Sequence, residues 1–356
     1  MGIDEHEEIN FRKFKAMRRR SVTLSAESLV KTRHLSESEQ SPFVIEPQVE
    51  DLNPASWART NRNYVEEQLL KYGAVLFRGF KLDDAQRFEE FARAVSPRLL
   101  DYKERSSPRS LISQGVYTST DHPADQFIHF HNEQSYTTSW PMKLWFFCDT
   151  PAERGGETPI ADGRKVLSRL SPKLKERFIK KKAQYMRNYG DGIGLTWKTA
   201  FQTSDKSEVE NYCRKASISY EWKGGDRLRT RQVFDNIVMH PKTQELTWFE
   251  HVAFFHISSV ERAMREMLMA ELDEDDLPFN TYYGDGSPIE DSVLEEIREA
   301  YRQVAISFAW QKRDLLLIDN VLTSHSRQPY EGERKILVAM AELFSAAENR
   351  ILDSEM

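Results

Sequence analysis

Cysteine is almost missing from this chain: among 356 residues only Cys148 and Cys213 occur. That excludes a disulfide framework and a cysteine-rich metal site, and it suits a reducing cytoplasm, where we expect the protein to work. Long apolar runs are missing too. None approaches the roughly 20 residues that cross a bilayer, so no membrane partner is expected. The first residues, MGIDEHEEINF, carry charge from Asp4 onward and lack the apolar centre of a signal peptide. Nor is there an excess of basic charge. Lys and Arg number 50 against 56 Asp and Glu, for a net charge of −6, which disfavours nucleic acid as a partner. What the chain does have is 39% hydrophobic and 11% aromatic residues, enough for a sizeable core and too much for a disordered chain.

Residues 1–42 read as an arm poor in apolar positions, with a basic stretch from Arg12 to Arg20 that is either a surface for an anionic partner or a solvated arm. Residues 43–356 contain no repeat and no low-complexity linker, and read as a single domain. Asn53-Pro54 places a capping side chain before a proline suited to the first helical turn, and the helix it opens runs to Gly73. Ala74–Phe80 follows as a strand, and Asp83 opens a helix with Phe88, Phe91 and Val95 on one face. From Phe127 the pattern changes to short β-rich runs: FIHFHNE, KLWFFC, ISYEW, IVMH, LTWFEHVAFF, AISFAW, LLLID and KILVAMAEL. Helices are expected between them at Pro172–Lys182, at Ser258–Leu272, and from Ser287, where Ser287 and Glu290 are spaced as a capping box. Many short strands with helical insertions, and no strict β-α alternation, predict an α+β fold. Its core would be a double-stranded β-helix, or jelly roll, with flanking and inserted helices.

Four stretches carry residues of chemical interest. In a strand, residues two apart face the same way, so His131 and Glu133 of FIHFHNE would project together and offer a nitrogen and an oxygen ligand. With one more histidine they would form the 2-His-1-carboxylate triad, which leaves positions open on a metal such as Fe(II). Taken alone, the pair equally describes a surface salt bridge. An apolar strand, Leu315–Ile318, then delivers Asp319, Asn320, His325 and Arg327; His325 is either the third ligand or a hydrogen-bonded strand-end residue. Arg334 precedes the apolar run Ile336–Met340, where an unpaired charge is costly, so it needs an anion. A ligand carboxylate would suit its guanidinium fork, and Glu331 or Glu333 is the local alternative. In Gly155-Gly156-Glu157-Thr158, two glycines allow close backbone approach and Thr158 offers a hydroxyl donor; an ordinary turn would look the same.

In that chain order, H-x-E, G-G-x-T, a distal histidine and a following arginine resemble the TauD/TfdA-like 2-oxoglutarate dioxygenases. The likeness spans Ala74 to Leu343. The phrases LLKYGAVLFRGF, VYTSTDHPAD, FHNEQSY, GGETPIADGR, TYYGDGSPIE and GERKILVAM look most like the SyrP-like branch, associated with syringomycin biosynthesis. The resemblance implies that His131, Glu133 and His325 bind Fe(II), that Thr158 touches the carboxylate of the 2-oxoglutarate co-substrate, and that Arg334 pairs with its distal carboxylate. It also implies that O₂ is consumed, with succinate and CO₂ as co-products. A cluster of His129, His131 and Glu133 without His325 is the local alternative, but it leaves the Asp319–Arg327 segment without a role.

Related halogenases carry a small residue in place of the carboxylate, so Glu133 points to hydroxylation, epoxidation or desaturation instead. Taurine-type members carry a second arginine where this chain has Val338, which weakens a sulfonate substrate. The SyrP-like likeness implies a small-molecule, amino-acid-derived substrate in natural-product biosynthesis, free or presented on a carrier protein. Gln134, Ser135 and Tyr136 would lie near it. Trp140, Trp145 and Phe146 are expected in the core. The residues leave a homo-oligomer, a catalytically inactive binding protein and a zinc hydrolase as open alternatives, although the last lacks an HExxH helix.

Overall fold

Three apolar runs, LWFFC, LLLI and ILVAM, do not alternate with polar residues because both faces of the strands they form are buried. Trp145, Phe147, Leu315, Leu317, Leu337 and Ala339 face one core together with the helices of the first hundred residues. Their neighbours Leu144, Phe146, Cys148, Leu316, Ile318, Ile336, Val338 and Met340 face a second core. Strand periodicity thus assigns each side chain its layer.

The computed structural model describes residues 29–36, 39–101, 110–119, 122–190 and 194–345. The basic stretch Arg12–Arg20 lies outside the described residues. In chain order the first strands are β1 (Val30–Arg33), β2 (Phe43–Pro47), β3 (Ala74–Phe77), β4 (Leu111–Ser113), β5 (Val116–Thr118), β6 (Ile128–His131) and β7 (Ser139–Thr150). Next come β8 (Arg154–Gly155), β9 (Ile160–Asp162), β10 (Ala183–Tyr189), β11 (Ser219–Lys223), β12 (Arg227–Phe234) and β13 (Ile237–Met239). β14 (Leu246–Trp248), β15 (Phe279–Tyr283), β16 (Leu315–Asp319), β17 (Thr323–Arg327), β18 (Tyr330–Glu331) and β19 (Lys335–Ser345) complete the set. The main sheet runs β1-β2-β3-β16-β7-β19-β5-β4 and is antiparallel apart from the β2/β3 pair. A small antiparallel sheet, β6-β17-β9, and an inserted sheet, β11-β12-β10-β15, contribute to the same cavity. Val30–Arg33, within the expected arm, already pairs with β2. Among the described residues no helix is long and apolar enough to cross a membrane.

The helix after Asn53 forms as two pieces, Pro54–Thr60 and Arg62–Tyr72, divided at Asn61. Asn53 caps it through Ser56 N at 2.8 Å. Gly73 ends it at φ 75°, and the Thr323 hydroxyl donates to the Gly73 carbonyl oxygen at 2.9 Å. A Cβ on Gly73 would collide with that hydroxyl, so this glycine lets the helix end dock on β17. The next helix, Ala85–Val95, is capped by Asp84, one residue after the expected Asp83.

Three expectations are corrected. The run AISFAW is not a strand: Ile306 bridges Ile160, and Ile306, Phe308 and Trp310 are buried by alternation without a continuing ladder. In LTWFEHVAFF the strand ends at Trp248 and Val252–Phe255 turns into a short helix, because Glu250 and His251 are occupied by side-chain and backbone bonds outside any sheet. The helix expected from Ser287 begins at Asp291, and Glu290 does not close a capping box. Ser287 bonds Asp285, Pro288 bridges Tyr282, and the Glu290 carboxylate accepts from Arg177 and the Tyr283 hydroxyl.

Candidate metal centre

His131 ends β6 and His325 sits in the middle of β17, directly opposite it in the antiparallel register, with ring centroids 4.3 Å apart. His131 Nδ1 donates to the His129 carbonyl oxygen at 2.8 Å, which leaves the Nε2 lone pair as the ligand atom. Phe146 and Phe254 each place a ring 5.0 Å from one of these imidazoles. One ligand atom each from His131, Glu133 and His325 lies within 4.8 Å of the others, and all three residues are buried. Two imidazoles and a carboxylate, held together without a fourth protein ligand in the group, could hold a metal ion and match the donor set that open ferrous sites use.

Glu133 reaches the group by a route other than strand alternation. β6 stops at His131, and Asn132–Tyr136 form turns in which Gln134 has a φ of 57°. Asn320, wholly buried, holds this turn. Its Oδ1 accepts from Glu133 N at 2.8 Å, and its Nδ2 donates to the carbonyl oxygens of Glu133 and Pro141, both at 2.9 Å. Asn132 Nδ2 donates back to the Asn320 carbonyl at 2.7 Å, and Asn132 Oδ1 accepts from Glu250 N at 3.1 Å. Irregular backbone survives in the interior here because these polar groups are paired.

Arg334 and Thr158 meet on the same cavity. Arg334 Nε donates to the Gly156 carbonyl oxygen at 2.8 Å and its Nη2 reaches Thr158 Oγ1 at 3.4 Å. Gly156 has φ 72°, and a Cβ there would stand 2.9 Å from Arg334 Cδ, so the glycine is the opening through which the arginine passes. Burial, and then the neighbouring Arg327 charge, push the guanidinium down to about 10. The local alternative is not realised: Glu331 pairs with Arg154 across β18 and β8, and Lys335 pairs with Asp149 at 3.2 Å. Thr158 Oγ1 also accepts from Trp310 Nε1 at 3.1 Å. With both acceptor positions taken, its own proton is available to a ligand carboxylate.

The cavity holds about 400 Å³ and is lined by these five residues, by Phe146, Phe254, Phe255 and Phe279, and by Arg187 and Arg327. Phe146 is therefore a wall residue as well as a core aromatic, whereas Trp140 and Trp145 are buried in hydrophobic cores. Gln134, Ser135 and Tyr136 do not line the cavity. His129 stays out of the ligand group: its ring packs on Phe127 at 5.2 Å, and burial pushes it down to about 4. Arg327 donates to the carbonyls of His122, Pro123 and Gln126, clamping the approach to β6, and Asp319 is bonded to His240 at 3.0 Å. Sequence reasoning missed the contacts of Asn320 and Trp310 and the placement of Arg187 on the cavity. The alternating apolar residues of AISFAW were the available signal for Trp310; the other two depend on tertiary contacts.

Residues 32–340 match the family described as taurine catabolism dioxygenase TauD, TfdA. The dapdiamide synthesis protein DdaC of Enterobacter agglomerans is 40% identical over 278 residues, 78% of this chain and 84% of that protein. A clavaminate synthase-like protein of Arabidopsis thaliana is 27% identical over 294 residues, covering 80% and 86% of the two chains. In fold, the crystal structure of PvcB from Pseudomonas aeruginosa is similar, with a TM-score of 0.53 at 15% identity over 90% of this chain and 93% of that one. Coverage by the family and the length of the match to DdaC agree with the donor set: the chain belongs to the TauD/TfdA family and is an iron(II)- and 2-oxoglutarate-dependent dioxygenase.

Proposed function

We propose that His131, Glu133 and His325 are the iron ligands, that Arg334 pairs with the distal carboxylate of 2-oxoglutarate, and that Thr158 donates to the carboxylate of the same co-substrate. The observation that carries this is the convergence of the three donors, from β6, the turn after it and β17, on a cavity that also receives Arg334 and Thr158. We read the main and small sheets around it as the two halves of a jelly roll.

When bound, Fe(II) with 2-oxoglutarate and O₂ supplies an oxidation in which one oxygen atom enters succinate, CO₂ leaves, and the second oxygen atom enters the substrate C–H bond. The chain contributes position and exclusion. Arg334 and Thr158 orient the co-substrate, while Phe146 and Phe254 flank the imidazoles and keep bulk water from them. Asn320 holds the Glu133 turn in place. With Glu133 as a carboxylate ligand, hydroxylation is favoured over halogenation, and epoxidation or desaturation would use the same site.

The substrate we propose is an amino-acid-derived small molecule of natural-product biosynthesis, free or on a carrier protein, in keeping with a SyrP-like placement. The relative named for dapdiamide synthesis supports this class. We place the reaction in the cytoplasm, where two buried, unbridged cysteines are at home. The test is succinate release by purified protein with Fe(II), 2-oxoglutarate and O₂, against a panel of free and carrier-bound amino acids. Release stimulated by a panel member supports the reading. An inability of the wild type to take up Fe(II) overturns it.

A further inference from the structure

A further cation reaches the cavity from the inserted sheet. Arg187 lies on β10, in register with Thr230 of β12 and Phe279 of β15. Its guanidinium carbon is 4.9 Å from the Tyr136 ring centroid and 5.0 Å from that of Tyr189. Two aromatic neighbours hold the side chain at little further entropic cost where it lines the cavity, and the planar N–H edge of a guanidinium matches a carboxylate. Tyr136 packs on His251 at 4.9 Å, and His251 packs on His131 at 4.7 Å. A short series of ring contacts thus ties Arg187 to the donor set.

Charge points the same way. Among the described residues that line the cavity, Glu133 is the only acid, against Arg187, Arg327 and Arg334. A divalent cation and dianionic 2-oxoglutarate offset one another, and Glu133 offsets one guanidinium. Among the described lining residues positive charge is thus in excess, and low-dielectric walls strengthen its pull on an anion. Near Arg187 those walls are apolar: Phe279 is its strand partner, and Phe255 packs on Phe279 at 5.2 Å and on Phe254 at 5.8 Å.

We propose that Arg187 determines substrate specificity by pairing with a carboxylate of the primary substrate, whose carbon skeleton lies against Phe254, Phe255 and Phe279. This rests on the reading in which Arg334 serves 2-oxoglutarate. It narrows the substrate: a residue held on a carrier as a thioester has lost that carboxylate. The substrate is then a free acid, or an acid that keeps a second carboxylate when tethered.

The experiment uses full-length protein loaded anaerobically with Fe(II) and 2-oxoglutarate. Probes are 3-phenylpropanoate and N-acetylphenylalanine with their primary amides, followed by the visible charge-transfer band and by intrinsic fluorescence. Wild type should bind each acid about tenfold more tightly than its amide. Arg187→Gln should abolish that preference while leaving amide binding unchanged, Arg187→Lys should restore part of it, and the affinity for 2-oxoglutarate should stay within about twofold. Unchanged amide binding shows that the variant is folded. Equal binding of acids and amides by wild type, no saturable binding of any acid, or parallel loss of both in Arg187→Gln overturns the proposal, and so does a fall confined to 2-oxoglutarate affinity. Absence of the charge-transfer band in wild type is a separate result, and it strikes the iron-site reading instead.

Discussion

The Asn320 side chain exchanges a pair of hydrogen bonds with the backbone of Glu133, 187 residues away: Oδ1 accepts from Glu133 N at 2.8 Å and Nδ2 donates to Glu133 O at 2.9 Å. This amide does for the turn what a neighbouring strand does for a ladder residue. Asn320→Ala would leave buried N–H and C=O groups of Glu133 and Pro141 without partners, at roughly 1–3 kcal/mol for each such group. Thermal unfolding should shift down by several degrees, and Fe(II) or Mn(II) affinity, read by equilibrium dialysis, should fall about 10–100-fold. An affinity equal to wild type would remove Asn320 from the account of the site.

His325→Ala and His129→Ala separate the two possible histidine sets. His325 faces His131 across β6 and β17, whereas His129 only lends its carbonyl to His131 Nδ1. Iron content after reconstitution should drop to a small fraction in His325→Ala and stay near the wild-type level in His129→Ala. The reverse order would replace the triad with His129, His131 and Glu133, all from β6 and the turn after it.

Thr158→Val removes a hydroxyl that accepts from Trp310 and Arg334 and that we propose donates to the co-substrate. The KM for 2-oxoglutarate should rise about tenfold with a smaller effect on kcat, since a lost hydrogen bond to a charged group is worth roughly 1.5–3 kcal/mol. Gly156→Ala should act in the same direction by displacing the Arg334 stem, whose Cδ would lie 2.9 Å from the new methyl. A KM unchanged in both variants would detach this corner of the cavity from co-substrate binding.

Glu250 gives a pH dependence whose sign follows from burial. Desolvation pushes its carboxyl up from 4.5 to about 7, with hydrogen bonds from Tyr301 and from Ala253 N opposing the shift. Folding therefore favours the neutral form. The stability that form confers is complete below pH 4.5, is lost as pH rises to about 7, and changes no further above that. The loss is on the order of 3 kcal/mol. Glu250→Gln, neutral throughout, should flatten this part of the pH profile in chemical denaturation and gain most over wild type near pH 8. An identical slope in both proteins would assign the titration elsewhere.

Much of this was legible from one dimension. The uninterrupted apolar runs announced strands covered on both faces, Asn53 and Gly73 marked the ends of a helical segment, and the order of His131, Glu133, Thr158, His325 and Arg334 matched the family that residues 32–340 belong to. Less legible were segments whose composition suits a strand but whose surroundings offer no partner. AISFAW buries alternate side chains yet pairs only at Ile306, and VAFF becomes helical beside the paired Glu250 and His251.

Residue identity by itself determined which family the chain belongs to, because the motifs that carry the match are properties of side chains. It also determined that strands would dominate the core, since burial pattern follows the period of the backbone. Tertiary structure alone decided that His131 stands opposite His325, that Glu133 arrives through a turn held by Asn320, and that Arg187 enters the same cavity from another sheet. Those facts depend on strand register and on contacts between residues far apart in the chain, and local sequence carries no record of either.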